Sequence, residues 1–173
     1  MPSGRGERAW VRGAQAGSAS DLEALFRAHW PRALRAAYLI VHDAGAAEDI
    51  AQEAFLAAVR SLDRFDRSRP FGPWLHRIVV NRAIDSARAR ALRGEVGGEA
   101  LAAAPADNPG HGLSDDVVGA LTSLPEEQRA VIVLRHLLEY TPGEIAELLE
   151  LPRGTVNSRL RRGLDELAER LER

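Results

Sequence analysis

Apolar residues recur along this chain at steps of three and four, which is the spacing of one helix face. In the first such segment the stripe consists of Leu22, Leu25, Phe26, Ala33, Ala37 and Ile40. The next two stripes consist of Ala47, Ile50, Ala51, Ala54, Phe55, Ala58 and Leu62, and of Trp74, Leu75, Ile78 and Val79. No segment shows the alternation of apolar and polar residues that is typical of a half-buried strand. The pattern therefore predicts an all-α fold.

Capping signals indicate where the helices of the first half begin. Ser20-Asp21-Leu22-Glu23 has the form of a capping box, and the helix that it opens is expected to end near Val41. Asp43 is a candidate N-cap for the second helix. Pro73 fits the first turn of a third helix, where the missing backbone N–H has no intrahelical partner in any case.

Residues 94–112 interrupt the helical pattern. They are rich in Gly, Ala, Pro, Asp and Asn and show no apolar periodicity, so we predict a flexible linker. The linker divides the chain into two small helical domains, over residues 20–93 and 113–173. Residues 1–19 are rich in Gly and Arg and are expected to form a flexible arm. Arg5, Arg8 and Arg12 are consistent with a disordered tail that binds a polyanion, but we favour a frayed end.

Three helix starts follow the linker. Ser114 can cap a short helix that runs through Leu121, and Ser123-Leu124-Pro125-Glu126 has the form of a second capping box before an apolar run. Thr141-Pro142-Gly143-Glu144 is the strongest signal in the chain. It combines an N-cap, a proline at the first helical position and a glutamate at the third.

The last helix follows after a tight turn. It begins at Pro152-Arg153-Gly154-Thr155, and Val156 and Leu160 would lie inward. Its outward residues are Arg153, Asn157, Ser158, Arg161 and Arg162. Arginine can donate bidentately to guanine and asparagine to adenine, while Ser and Thr anchor phosphates. We interpret the pair as a helix-turn-helix whose second helix enters the major groove, although an amphipathic pair in a helical bundle would give the same pattern.

The net charge of −2 conceals a segmented distribution. Residues 60–93 contain nine Arg against three Asp, residues 94–150 contain two Arg against eleven acidic residues, and residues 151–163 contain four Arg and no acid. Because arginine neutralises phosphates, this pattern fits a protein that contacts a polyanion at two places. Solvated helix faces would produce the same charges, so the choice between these two interpretations depends on the motifs.

Several classes of protein are disfavoured. The chain has no cysteine, which excludes disulfides, thiolate nucleophiles and Cys-ligated zinc. No apolar run approaches the roughly 18 residues that span a bilayer, so we expect a cytoplasmic protein without membrane insertion. The five histidines lack metal-ligand spacing, and the adjacent carboxylates of Glu48 and Asp49 point in different directions on a helix. We therefore expect no cofactor, no metal and no enzymatic activity.

The large aromatic residues are expected to be structural. Phe26, Trp30 and Trp74 lie at helical spacing and are predicted to be core residues. His76 is predicted to lie on a helix surface.

The motifs resemble those of one family, the extracytoplasmic-function sigma factors of the sigma-70 family. The segments that resemble region four are Leu124–Arg129, Tyr140–Ala146 and Gly154–Leu160. Those that resemble region two are Ala47–Phe55 and Trp74–Asn81. The matches cover roughly residues 20–93 and 113–171, in the order that the family has.

The resemblance implies roles for particular residues. The face that docks on core RNA polymerase would comprise Asp49, Gln52 and Glu53. The residues that capture a flipped base of the minus-ten element would be Phe65, Asp66, Arg67, Ser68, Phe71 and Asn81, with phosphates faced by Arg77, Arg82 and Arg88. The minus-thirty-five element would be read by Arg153, Thr155, Asn157, Ser158, Arg161 and Arg162.

The resemblance also implies an activity and its partners. The expected function is that of an alternative sigma factor in stress-responsive transcription, which binds core polymerase and promoter DNA and is held by an anti-sigma factor. A helix-turn-helix regulator that acts without polymerase would need a dimerisation surface and an effector domain. A small helical enzyme would need a catalytic constellation, and the sequence shows neither pattern.

Overall fold

The computed structural model describes residues 4–94 and 113–172. Within these ranges the fold is helical and contains no strand, as predicted. The helices are α1 (Gly4–Gln15), α2 (Ala19–Val41), α3 (Ala44–Ser61), α4 (Phe71–Leu92), α5 (Asp115–Thr122), α6 (Glu126–Ile132), α7 (Pro142–Leu149) and α8 (Arg153–Leu171). A 3₁₀ turn, Leu62–Arg64, follows α3, and a π-helical turn, Val133–Leu137, follows α6. Apart from Gly94, the predicted linker over residues 94–112 lies outside the described residues.

Three of the predicted caps are confirmed. The Asp43 carboxylate accepts from the backbone N–H of Ala46 at 2.8 Å, and Ser114 caps α5 through the N–H of Val117. Thr141 and Glu144 form a reciprocal capping box at the start of α7. Each cap satisfies a backbone N–H that has no partner within its own helix.

Two other predicted caps are wrong. Helix α2 begins two residues earlier than predicted, because Gly17, at φ +91°, ends the preceding turn and Ser18 accepts from the N–H of Asp21. Ser20 therefore lies inside the helix. Helix α6 has Pro125 at its N-cap, and the Ser123 hydroxyl donates instead to a carbonyl of the preceding helix.

The N-terminal residues do not form the flexible arm that we expected. Gly4–Gln15 is helical, and α1 packs against α2 and α4. Val11 is only 3% exposed, and Trp10 and Ala14 pack on the same core. The Gly- and Arg-rich composition obscured this apolar face, which anchors α1 by burying hydrophobic surface.

Helices α1 to α4 form the first unit. Its most completely buried large side chains include Leu25, Ile40, Leu75 and Val79. The rings of Phe26 and Trp30 stack at a centroid distance of 4.8 Å, but Phe26 is 41% exposed and so lies at the rim of the predicted core.

Helices α5 to α8 form the second unit, with Val131, Leu134, Ile145 and Val156 at its centre. Helices α7 and α8 are joined by a short turn in which Glu150 takes a left-handed conformation, φ 56°. This is the predicted helix-turn-helix. Gly163 on α8 is buried against α6, where an added Cβ would meet Ile132 at 2.7 Å.

The two units pack against each other. Helices α2 and α4 of the first unit contact α6 of the second, and α4 also contacts α7. The buried residues of both units belong to one apolar cluster. The helix-turn-helix is therefore held beside the first unit in this conformation.

Candidate DNA and polymerase interfaces

The exposed face of α8 is basic and free of acidic residues along its first half. Val156, Leu160 and Gly163 face inward, so the opposite side points to solvent. That side carries Arg153, Asn157, Arg161 and Arg162, which are exposed, and Thr155 and Ser158, which are half-buried. No carboxylate of the described residues forms an ion pair with Arg153, Arg161 or Arg162. These guanidinium groups are available to phosphates or base edges.

Three arginines of α4, unlike those on the exposed face of α8, form ion pairs with carboxylates. Arg77 lies 2.6 Å from the Glu150 carboxylate, and Arg82 lies 2.8 Å from that of Glu53. Arg88 pairs with Glu127 and lies 3.5 Å from Glu126. We expected these side chains to face phosphates. In this conformation they meet carboxylates instead: Arg77 meets one at the end of α7, Arg88 meets two at the start of α6, and Arg82 meets one on α3.

The loop between α3 and α4 separates its aromatic residues from its polar residues. Phe65 is 8% exposed and Phe71 is 3% exposed, and both rings pack against Trp74 at centroid distances of 4.5 and 5.6 Å. Both residues were predicted to help capture a flipped base, but neither ring is free to stack on a base in this conformation. Trp74 itself is half-buried and packs on the core, as predicted.

The polar residues of the same loop are exposed. Asp66, Arg67 and Ser68 all face solvent, and Asn81 is exposed on α4. The backbone N–H of Ser68 donates to Oδ1 of Asp66 at 2.9 Å, and this bond lowers the pKa of the Asp66 carboxyl. The loop therefore presents an ordered carboxylate and hydroxyl rather than an aromatic platform.

Helix α3 presents the predicted polar face. Asp49, Gln52 and Glu53 are exposed, and Gln52 donates to the Glu48 carboxylate at 3.2 Å. One turn further along the same face Leu56 is 53% exposed, which sequence analysis missed. Its position four residues after Gln52 was the available signal. Protein interfaces have an apolar centre and a polar rim, and Leu56 with its polar neighbours matches that arrangement.

Buried polar groups join the helices behind these surfaces. His76 is 5% exposed, so its predicted placement on a helix surface is wrong. Burial lowers its pKa to about 3, and its Nδ1 lies 2.7 Å from the hydroxyl of Tyr140. Burial also lowers the pKa of His42 to about 3.

Arg129 is a second buried group whose role sequence analysis missed. Its guanidinium donates to the carbonyls of Leu121, Thr122 and Leu124 at 2.7–2.9 Å and to that of Ile40 in the first unit. Burial lowers its pKa to about 10, which leaves it charged at neutral pH. The available signal was its position four residues before Val133, which is buried, because residues four apart lie on the same face of a helix.

Two absences are found within the described ranges. They contain no helix long and apolar enough to cross a membrane. Nor does this part of the chain bring together three or more His, Cys, Asp or Glu side chains that could hold a metal ion.

The fold and these surfaces define a two-domain helical DNA-binding protein with a helix-turn-helix in its second domain. Comparison with protein families places it more closely. Residues 25–93 match the family described as sigma-70 region 2, and residues 114–167 match that described as sigma-70, region 4. The chain belongs to the extracytoplasmic-function sigma factors and is an alternative sigma factor that directs RNA polymerase to promoters for transcription initiation.

Curated relatives support this assignment. The chain is 35% identical over 149 residues to the ECF RNA polymerase sigma factor SigW of Bacillus subtilis, covering 78% of this chain and 80% of the relative. It is 32% identical over 143 residues to the ECF RNA polymerase sigma-E factor of Escherichia coli K12, covering 74% and 75%.

Solved structures share the fold over nearly the whole chain. The structure of CnrH in complex with the cytosolic domain of CnrY has a TM-score of 0.74 at 28% identity and covers 96% of this chain and 97% of that chain. The sigma factor RpoE in complex with the anti-sigma factor NepR from Bartonella quintana has a TM-score of 0.74 at 25% identity, covering 88% and 97%.

Proposed function

We propose that this sigma factor uses three separate surfaces, one for duplex promoter DNA, one for core polymerase and one for the unpaired promoter strand. Helix α8 reads the minus-thirty-five element in duplex DNA. The observation that carries this assignment is its exposed face, where Arg153 and Arg161 form no ion pair with a carboxylate of the described residues and Asn157 lies between them. Arginine and asparagine donors match the base edges of the major groove, and the half-buried Thr155 and Ser158 are placed to bind phosphates. Arg162 adds a further charge for the DNA backbone.

The exposed face of α3 binds core polymerase. Asp49, Gln52 and Glu53 supply a polar rim, and exposed Leu56 supplies an apolar centre. Interfaces of this composition derive most of their binding energy from a few central residues. Binding polymerase at Glu53 would also release Arg82 from its ion pair on the neighbouring helix.

The loop before α4, together with α4, receives the unpaired minus-ten strand. Because Phe65 and Phe71 are buried, we assign the direct contacts to the exposed polar groups, namely Asp66, Arg67, Ser68 and Asn81. The two rings support the loop from beneath. Arg77, Arg82 and Arg88 would bind phosphates after exchanging their carboxylate partners for DNA.

The protein acts without catalysis and works where its polymerase and promoters are, in the cytoplasm. The assigned surfaces are complementary to DNA and protein, and their carboxylates are paired, capping or exposed rather than converging on one point. General acid–base work requires such convergence.

An anti-sigma factor is the proposed regulatory partner. Both structural neighbours described above are complexes of this fold with a second protein, and one of those proteins is called an anti-sigma factor. For this chain we expect an inhibitor that masks the α3 and α8 surfaces. Full promoter activity in unstressed cells, unchanged when neighbouring genes are deleted, would contradict that expectation.

The division of labour is tested by comparing variants on two DNA probes. Arg161→Ala or Asn157→Ala should weaken holoenzyme binding to a minus-thirty-five duplex by about 1–3 kcal/mol per lost base contact and leave binding to a single-stranded minus-ten oligonucleotide unchanged. Asn81→Ala should leave duplex binding intact and weaken binding to the single-stranded oligonucleotide. Arg170→Ala is the matched control, since it removes one arginine from α8 outside the proposed reading face. Equal effects of all variants on both probes would overturn the assignment.

A further inference from the structure

Helix α1 contacts the beginning of the loop between α3 and α4 through one side chain. The Gln15 amide nitrogen, Nε2, donates to the carbonyl of Leu62 at 2.8 Å and to that of Phe65 at 3.1 Å. Both hydrogens of one amide are therefore committed to the backbone of the segment that enters the loop. Gln15, near the end of α1, therefore holds the backbone of a segment that lies nearly fifty residues further along the chain.

The same helix contacts the end of the loop through a second side chain. Helix α4 has Pro70 at its N-cap, and no side chain of its own segment caps it. Instead Oε2 of Glu7 accepts from the backbone N–H of Phe71 at 3.4 Å. A carboxylate is favoured at this place by the partial positive charge of a helix N-terminus.

The Glu7 carboxylate is itself held in place. Its other oxygen, Oε1, lies 2.7 Å from Nε2 of His29 on α2, and this contact lowers the pKa of Glu7. Helix α4 approaches the His29 ring at Gly72, where an added Cβ would lie 3.2 Å from Cε1. The Glu7 side chain is thus fixed by groups from both neighbouring helices.

We propose that α1 is a clamp that holds both ends of the promoter-binding loop, with Gln15 and Glu7 as its positioning residues. The clamp keeps Asp66, Arg67 and Ser68 in one arrangement before DNA arrives, so that less conformational entropy is lost on binding. This inference rests on the proposed function, which assigns the unpaired minus-ten strand to that loop. Helix α1 lies before residue 25, where the match to sigma-70 region 2 begins.

The clamp is first tested without DNA, by hydrogen exchange in the full-length protein. Gln15→Met keeps the length of the side chain but has no N–H donor, and Gln15→Lys keeps a donor. We expect the hydrogen-bonded amides of Phe65, Ser68, Arg69 and Phe71 to exchange about tenfold faster in Gln15→Met, and we expect the slower exchange to be largely restored in Gln15→Lys. Ala9→Gln, on the exposed side of α1, is the control and should leave exchange unchanged. Equal exchange in Gln15→Met and wild type would overturn the proposal.

The second test measures binding to DNA by the reconstituted holoenzyme. The probes are a single-stranded oligonucleotide and a minus-thirty-five duplex, each selected from random sequence by the wild-type holoenzyme. Gln15→Met should bind the single strand about five- to tenfold more weakly and the duplex and core polymerase as wild type does. A general loss of folding would instead weaken all three interactions. Faster loop exchange with unchanged single-strand binding would overturn the proposal.

Asn81→Ala separates this inference from the proposed function. If Asn81→Ala weakens single-strand binding and Gln15→Met does not, the loop site stands and the clamp is wrong. If neither variant weakens it, the assignment of the minus-ten strand to this loop fails, and the clamp proposal fails with it.

Discussion

The hydroxyl of Tyr140, in the second unit, lies 2.7 Å from Nδ1 of His76 on α4 of the first unit. The His76 ring is buried and its Nε2 has no hydrogen-bond partner among the described residues, so Tyr140 supplies its one polar contact in the interface. Burial of the phenol correspondingly raises the pKa of Tyr140. The contact ties the helix-turn-helix unit to the helix that carries the arginines of the minus-ten surface.

Replacing Tyr140 by Phe should loosen this interface. The ring is retained, but His76 is left with no partner, and an unpaired buried polar group costs about 1–3 kcal/mol. We expect the free energy of unfolding, measured in urea, to fall by about that amount. Arg135→Ala is a suitable control, since Arg135 is exposed nearby and makes only a long, 3.4 Å contact to the Tyr140 carbonyl. Equal stability of Tyr140→Phe and wild type would show that the bond contributes nothing.

The protein should lose stability as the pH falls below 7. The rings of His42 and His76 take up a proton near pH 6.5 in the unfolded chain but only near pH 3 in the folded chain. Between these values the unfolded state holds more protons, so acid favours unfolding, by up to about 1.4 kcal/mol per pH unit for each ring. Stability from this source is fully present above pH 6.5.

The His76→Gln variant isolates one of the two rings. The Gln amide can still bond Tyr140 but does not titrate. Between pH 7 and 5.5 we expect wild type to lose about 1 kcal/mol more of its free energy of unfolding than the variant does. Parallel losses in the two proteins would contradict the burial of a neutral His76.

Arg129 should be among the residues whose loss destabilises the protein most. Four backbone carbonyls from both units accept from its guanidinium, and Arg129→Met would remove all four hydrogen bonds. We expect a loss of about 3 kcal/mol or more in the free energy of unfolding. Arg129→Lys should recover only part of it, because an ammonium cannot reproduce the planar set of donors. Exposed Arg153→Met is the control.

Releasing Arg88 from its carboxylates should strengthen binding to DNA. In the double variant Glu126→Gln, Glu127→Gln the guanidinium of Arg88 loses both of its ion pairs. We expect tighter binding to nonspecific duplex by a few fold at low salt, with a steeper salt dependence, because one more phosphate is neutralised. The double variant Glu169→Gln, Glu172→Gln, at the exposed end of α8, removes the same number of charges and controls for the change in net charge. An identical salt slope in variant and wild type would show that Arg88 does not meet DNA.

The sequence was sufficient to predict the elements whose signals are local. The Asp43, Ser114 and Thr141 caps, the helix-turn-helix and the exposed faces of α3 and α8 all depend on residues within one or two turns of each other. Apart from the local errors at the Ser20 and Ser123 caps, the errors involve contacts between distant segments. Helix α1 is stable because Val11 is buried by α2 and α4, and His76 is buried because Tyr140 covers it. Such tertiary contacts override local composition.

The buried positions of Phe65 and Phe71 have the same origin. An aromatic residue in a polar loop is equally consistent with a base-stacking platform and with a side chain that anchors the loop to the core. Only the position of Trp74, which packs against both rings, decides between them. The ion pairs of Arg77 and Arg88 could not be predicted either, because their partners lie more than thirty residues away, in the second unit.

Transcription in vitro tests the central claim most directly. Purified protein and bacterial core RNA polymerase are incubated with genomic DNA from the source organism, and the 5′ ends of the transcripts are mapped. We expect a limited set of start sites that core polymerase alone does not produce, with two shared upstream elements, and their loss in Asp49→Ala, Gln52→Ala and in Arg161→Ala. Start sites identical to those of core polymerase alone would contradict the assignment of this chain as a sigma factor.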